Sequence, residues 1–194
     1  MALPAHLNKR HFPTLPHESV IIDASYSRLC YAARQCLVCH SNKSIAGYVS
    51  TLQHLWTSNT SNSNHVLPCL CVRTALDLFL QVKGYPAGSE VIMSAVNIQD
   101  MATIIQHHGL KVVPVDISID TLEPKLMLLD SLITKRTVAI LIAHLYGRII
   151  NMDPFISLAR KYNLAVIEDC AECFCGFTIT GHPDSDISIF SFGL

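Results

Sequence analysis

The sequence predicts an α/β protein with a mainly parallel sheet and helices on both faces. Three observations predict it. From Val66 onward, apolar runs of strand length alternate with amphipathic runs of helix length. The connections between these runs are short, which is the pattern of βαβ units. The run from Val138 to Ile142 is apolar throughout, as expected of a strand buried on both sides.

The elements follow in order. Val66 to Cys71 predicts a strand. Arg73 to Lys83 predicts a helix, with Leu76, Phe79 and Leu80 on one face and Gly84 as its stop. Glu90 to Met93 predicts a short strand. Ile98, Met101, Ala102 and Ile105 form a helical stripe that ends at Gly109. Lys111 to Val115 predicts a strand, and Thr121 to Leu132 a helix with Pro124 in its first turn. After the buried strand at Val138, Asp153 is expected to cap a helix that has Pro154 at its first position and runs to Tyr162. Leu164 to Ile167 and Ile187 to Phe192 predict the last two strands.

Residues 1–65 have a different character. Two helical patterns, about Tyr26 to Cys39 and Ile45 to Trp56, precede a polar stretch from Thr57 to His65, which reads as a loop or linker. The expected division is therefore an N-terminal helical arm with its linker, 1–65, and an incomplete α/β domain, 66–194.

Composition excludes several function classes. The formal net charge is −1 and no stretch is strongly basic, which argues against nucleic acid or an anionic membrane as partner. The N-terminus lacks a basic segment followed by an apolar one, and the most apolar run, Val138 to Leu145, is far shorter than the ~20 residues of a spanning helix. The expectation is a cytoplasmic protein in which the eight cysteines are mostly free thiols. Cys36-Leu37-Val38-Cys39-His40 matches a haem-attachment pattern, but a helix carrying two thiols reads better without export. Cys170, Cys173 and Cys175, with His144 or His182, are a conceivable zinc set. Asn59-Thr60-Ser61 is a glycosylation sequon that matters only in a secreted chain.

In open parallel sheets, ligands bind beyond the carboxyl ends of the strands. Arg73 and Thr74 stand at a helix N-terminus there, a natural phosphate cradle that adds a charge and a hydroxyl, though taken alone an ordinary helix start is the plainer reading. Glu168 and Asp169 end an apolar strand, where carboxylates need partners. A protonated pyridine nitrogen would be one, and capping of the next turn is the plainer use. His144-Leu145-Tyr146-Gly147 follows another strand, and Ser191 lies between Phe190 and Phe192.

These segments together resemble the DegT/DnrJ/EryC1/StrS family of pyridoxal-phosphate (PLP) dependent sugar aminotransferases of fold type I. The resemblance rests on His144-Leu145-Tyr146-Gly147, Met152-Asp153, Val166 through Glu172 and Asp186 through Phe192, in the family's order and at about its spacing. Gly88 through Ile92 and Val113 through Asp116 also fit. It implies that Asp169 holds the pyridinium nitrogen and Ser191 the cofactor phosphate. Cys71-Val72-Arg73-Thr74-Ala75-Leu76 overlies the family's Ser-Gly-Thr-x-Ala-Leu phosphate loop, which gives Arg73 and Thr74 a cofactor role. Ile98 takes the place of an aromatic that stacks on the ring, and Glu172 that of a Gln or His near the ring's phenolic oxygen. The complete relative is implied to be a homodimer acting on a keto-sugar in nucleotide-sugar or polysaccharide biosynthesis.

Departures from the pattern set further expectations. A Cβ at Val72 crowds the backbone approach to a phosphate, while Arg73 offers a direct charge contact. Ile98 packs on a ring without stacking, and a Glu172 carboxylate repels a phenolate unless protonated. The family's Schiff-base lysine follows the Ser191 position by about five residues and serves both as cofactor link and as general base. The given sequence stops at Leu194, and Lys9, Lys43, Lys83, Lys111, Lys125, Lys135 and Lys161 all lie elsewhere. The chain therefore reads as truncated and unable to transaminate as it stands. A non-catalytic relative that binds a partner, and a Cys/His metal module, are the alternatives.

Overall fold

A computed structural model describes residues 25–37, 42–58, 66–174, 176–177 and 180–192. Cys39 and His40 of the haem-like motif, the sequon at residues 59–61, most of the polar linker and Cys175 of the zinc set lie outside the described residues. The chain divides into two compact units, residues 1–46 and 47–194. In the first, helix α1 (Tyr26–Leu37) starts after Ser25, whose hydroxyl accepts the Arg28 N–H at 3.4 Å. Helix α2 (Asn42–Ser58) begins at the end of this unit and continues into the second. Helix α1 starts at Tyr26 as its pattern suggested, and α2 extends past the Ile45 to Trp56 pattern at both ends. Among the described residues, no helix is long and apolar enough to cross a membrane.

The second unit holds a five-stranded sheet, all parallel, in the order β2-β1-β3-β4-β5. The strands are β1 (Glu90–Ser94), β2 (Lys111–Val115), β3 (Thr137–Ala143), β4 (Ala165–Asp169) and β5 (Ile187–Ile189). Helices α3 (Val72–Lys83) and α4 (Gln99–His107) cover one face, while α5 (Leu126–Leu132) and α6 (Asp153–Lys161) cover the other. The two-residue period of the strands divides the side chains between these faces. Val91, Met93, Ala139, Leu141 and Ile167 pack with Leu76 and Leu80 of α3 and with Met101 and Ile105 of α4. Ile92, Ile140, Ile142 and Val166 pack with Leu129 of α5 and with Phe155, Ile156 and Ala159 of α6. Ile140 is fully buried at the centre of the sheet. Removing one methyl group there, in Ile140→Val, should cost about 0.5–1.5 kcal/mol, measured as a lower urea midpoint at constant m.

Several sequence expectations are corrected. Val66 to Cys71 forms no strand. Pro68 has no N–H to give a ladder, and Leu67 and Leu70 are exposed, so the run is apolar without a sheet partner. The helix expected from Thr121 begins only at Leu126. Ile117 and Pro124 form an isolated bridge, Leu122 has a φ of 61°, and the Leu122 N–H bonds to the Ser118 carbonyl at 2.7 Å. These turns use up the residues that periodicity assigned to the helix. Asp153 is the first helical residue rather than the cap. Met152 stands at the cap position, and the Asp153 N–H donates to Asn151 Oδ1 at 3.1 Å. Strand β4 runs on to include Glu168 and Asp169, and β5 ends at Ile189, before Phe190 and Ser191.

Trp56, in the part of α2 belonging to the second unit, packs among Phe174, Phe177, Phe190 and Phe192, with ring centroids 5.0–6.2 Å away. Gln53 of the same helix donates to the Val66 carbonyl at 2.7 Å.

Candidate functional site

In this topology, β1 leads through α4 to β2 on one side, while β3 lies on the other side of β1. The chain's direction across the sheet therefore reverses between β1 and β3, and a crevice at such a reversal is where open α/β sheets bind ligands. A cavity of about 520 Å³ lies there, within the size range of small-molecule sites. The segment after β1 contributes Val96, Asn97 and Ile98. The end of β3 contributes Ala143, His144, Leu145 and Tyr146. Asp169, Ala171 and Glu172 come from the end of β4, Ser191 from beyond β5, and Cys71, Val72 and Arg73 from the start of α3. Of the residues singled out from sequence, Arg73, Ile98, Asp169, Glu172 and Ser191 line one cavity.

Thr74 is not among the lining residues. Its hydroxyl lies 3.4 Å from Cys71 Sγ. The first backbone bond of α3 is from the Ala75 N–H to the Cys71 carbonyl, 3.2 Å, so the N–H groups of Val72, Arg73 and Thr74 precede the helical ladder. Val72 is buried in the core against α3's own apolar face, so its branched side chain is directed into packing. Arg73 is half exposed and makes a loose ion pair with Asp100, 3.5 Å apart. The side-chain oxygen of Asn97 accepts the Ile98 N–H at 2.7 Å, while its Nδ2 is buried with no hydrogen-bond partner. Asn97 was not singled out from sequence, although its place just after a strand is the signal that marked the other residues.

The adjacent carboxylates Glu168 and Asp169 behave in opposite ways. Successive strand residues face opposite sides of a sheet. Glu168 is 3% exposed and accepts four hydrogen bonds. They come from His144 Nε2 (2.8 Å), the His182 N–H (2.7 Å), Ser185 Oγ (2.9 Å) and Ser188 Oγ (3.0 Å). Burial alone pushes this carboxyl up, but the bonds from His144, His182 and Ser185 outweigh it and hold it at about 2. Asp169 is 8% exposed and lines the cavity. Its Oδ1 accepts the Ala171 N–H at 3.1 Å. Among the described residues no cation lies within ion-pairing distance of it. Burial raises its carboxyl, the Ala171 N–H opposes this, and the nearby Glu172 charge raises it further.

Glu172 itself is exposed, and its Oε2 accepts the Tyr146 N–H at 2.7 Å. Tyr146 has the left-handed backbone angles φ 54° and ψ 38°, which a bulky residue adopts only when held there. The Glu172 carboxylate thus pins the turn after β3 from across the cavity.

His144, Cys170 and Cys173 come together, with their candidate ligand atoms all within 4.8 Å of one another. However, the Ile150 N–H donates to His144 Nδ1 at 3.0 Å, so Nε2 carries the proton and gives it to Glu168. Neither ring nitrogen has a lone pair to offer a zinc ion, so this group does not fit one.

The sequence pattern of the DegT/DnrJ/EryC1/StrS aminotransferase family matches residues 58–193. The chain belongs to this family. A GDP-perosamine synthase from Caulobacter vibrioides is 39% identical over 131 residues, covering 66% of this chain and 35% of that protein. One from Escherichia coli O157:H7 is 35% identical over 138 residues, covering 68% of this chain and 38% of that one. The chain thus spans little more than a third of the length of the relatives it matches. Among family-like solved structures, 3-amino-5-hydroxybenzoic acid synthase has a TM-score of 0.66 at 26% identity, covering 75% of this chain and 38% of its own. An E. coli GDP-4-keto-6-deoxy-D-mannose-3-dehydratase with bound hydrated PLP has a TM-score of 0.58 at 26% identity, covering 64% of this chain and 34% of its own.

The cavity's donor set fits PLP. A buried carboxylate without a cation suits a protonated ring nitrogen. An arginine, a serine hydroxyl and a helix N-terminus suit a phosphate. The partnerless Asn97 Nδ2 is a donor lacking an acceptor.

Proposed function

We propose that this chain is the cofactor-binding part of a PLP-dependent aminotransferase that acts on a keto-sugar. The observation that carries the reading is Asp169, a buried carboxylate facing a cavity of cofactor size and, among the described residues, in no ion pair. In this reading Asp169 keeps the pyridine nitrogen protonated. Arg73, Ser191 and the N–H groups that precede the ladder of α3 hold the phosphate, with Thr74 completing that first turn. Ile98, half exposed at the cavity, packs against the ring. Glu172 shapes the cavity wall by fixing Tyr146. When bound, PLP supplies the electron sink that amino-group transfer requires. The relatives' printed names, GDP-perosamine synthase above all, support a nucleotide-linked sugar as substrate. The same resemblance supports a cytoplasmic homodimer.

No lysine lines the cavity among the described residues. That favours one further reading, a non-catalytic relative that keeps the pocket as a binding module. Titrating the chain with PLP, following absorbance before and after borohydride, tests both readings. Saturable binding should occur, and Asp169→Asn should weaken it by about 10- to 100-fold, the worth of a charge-assisted bond. Equal affinity in wild type and Asp169→Asn would sink the assignment of Asp169. Cofactor fixed by borohydride onto a lysine of this chain would favour the catalytic reading over the binding module.

A further inference from the structure

Cys170 and Cys173 take no part in the proposed cofactor site, yet they are buried thiols on the turn that follows Asp169. Cys170 directly follows β4 and is fully buried; Cys173, three residues later, is 4% exposed. Both are free thiols. The backbone between them is a tight turn. The Cys173 N–H bonds to the Cys170 carbonyl at 3.3 Å, Cys173 Sγ lies 3.6 Å from the same oxygen, and the Cys170 N–H is fixed to the Ile189 carbonyl at 2.8 Å. A turn closed in this way keeps its first and last Cα atoms within ~7 Å. That overlaps the separation a disulfide spans, about 4.4–6.8 Å. The two sulfurs are themselves within 4.8 Å of each other. Both nitrogens of His144, the nearest imidazole in this group, are engaged elsewhere.

We propose that Cys170 and Cys173 are a thiol–disulfide exchange site, which a low-molecular-weight disulfide of the glutathione class converts to an intramolecular bridge. In the first step the Cys173 thiolate attacks one sulfur of the reagent. A mixed disulfide forms at Cys173, and one thiolate leaves and takes up a proton. In the second step Cys170 gives up its proton and attacks the Cys173 sulfur, releasing the second thiol. Two protein thiols are oxidised and one disulfide is reduced to two thiols. The order follows from exposure and from the closeness of the sulfurs. Cys173 is the less buried of the two, and the neighbouring sulfur raises the Cys170 thiol and, despite the opposing effect of burial, lowers that of Cys173. Asp169, Ala171 and Glu172, which line the cavity, sit on or beside this turn, so the bridge fixes the backbone that carries them.

The test uses the whole folded chain, equilibrated in glutathione buffers from reducing to oxidising, then alkylated and mapped by mass spectrometry. The peptide containing both cysteines should lose about 2 Da and become resistant to alkylation as a single transition, as expected of an internal disulfide. Cys170→Ser should instead accumulate a glutathione adduct on Cys173, and Cys173→Ser should leave Cys170 without one. Circular dichroism reports that each variant is folded. The proposal fails if both thiols stay alkylatable in excess oxidised glutathione while exposed Cys30 forms an adduct, or if the bridge joins any other cysteine. The exchange needs no cofactor, so its outcome is separate from that of the Asp169 titration.

Discussion

Replacing Glu168 with alanine should lower the unfolding free energy by about 3–5 kcal/mol, the usual cost of removing one member of a buried charged network. Burial explains the size of the effect. At 3% exposure, loss of the carboxylate leaves His144 Nε2, the His182 N–H and the hydroxyls of Ser185 and Ser188 without their acceptor, in space that water does not readily fill. Urea unfolding at neutral pH measures it, and a change below ~1 kcal/mol would mean that the four donors find other partners. The same group sets an acid limit. Its carboxyl is held at about 2 when folded, against 4.5 as the ordinary value. The folded state therefore binds the proton less readily than the unfolded state. The stability contributed, about 3 kcal/mol, is complete above the unfolded value and is lost as pH falls from there toward 2. Asp169 works in the opposite sense. Its raised carboxyl makes ionisation costly in the folded chain, and that cost disappears as pH falls.

The second large effect is expected at Gly181. This residue has φ +87°, and a Cβ added to it would overlap the Ser188 side chain and come within 3.2 Å of Glu168 Oε2. Ser188 is anchored in β5, and its hydroxyl is committed to Glu168, so it cannot swing away freely. Gly181→Ala should cost about 2–4 kcal/mol, backbone strain and overpacking together. Gly84 supplies the control. It also has a left-handed φ, +57°, but nothing lies near its missing Cβ, so Gly84→Ala should cost only about 1–2 kcal/mol of backbone strain. Thermal and urea unfolding of the two variants separate the terms. Combining Gly181→Ala with Glu168→Ala should cost less than the sum, because both changes damage the same contacts.

Much of the fold was legible in the sequence because one period dominated each segment. Lys111 to Val115 is a strand with the bounds its pattern suggested, and Gly84 ends α3 in the left-handed conformation expected of a stop. Val66 to Cys71 misled because an apolar run without periodicity says nothing of whether a neighbouring strand exists to pair with it. At the site, Asp169 and Glu168 stood out together. Which of them faces the cavity depends on where β4 ends, and the strand proved longer than its apolar core. The bond from Tyr146 to Glu172 spans 26 residues, and the four bonds to Glu168 come from positions 14 to 24 residues away. Such pairings are set by the packing of loops, which no local pattern records. The turn at Tyr146 shows the limit most plainly, since nothing about a tyrosine foretells a left-handed backbone.

The ring cluster around Trp56 gives the protein a built-in optical reporter. It is the chain's single tryptophan, and it touches phenylalanines that follow β4 and β5, on either side of the loop anchored by Glu168. Indole emission therefore reads out the seam between α2 and the β5 edge of the sheet, and not the sheet's centre. Loosening of that edge registers as a red shift while the helical signal of the core elements is still intact, so the two spectra together separate fraying of one margin from loss of the whole fold.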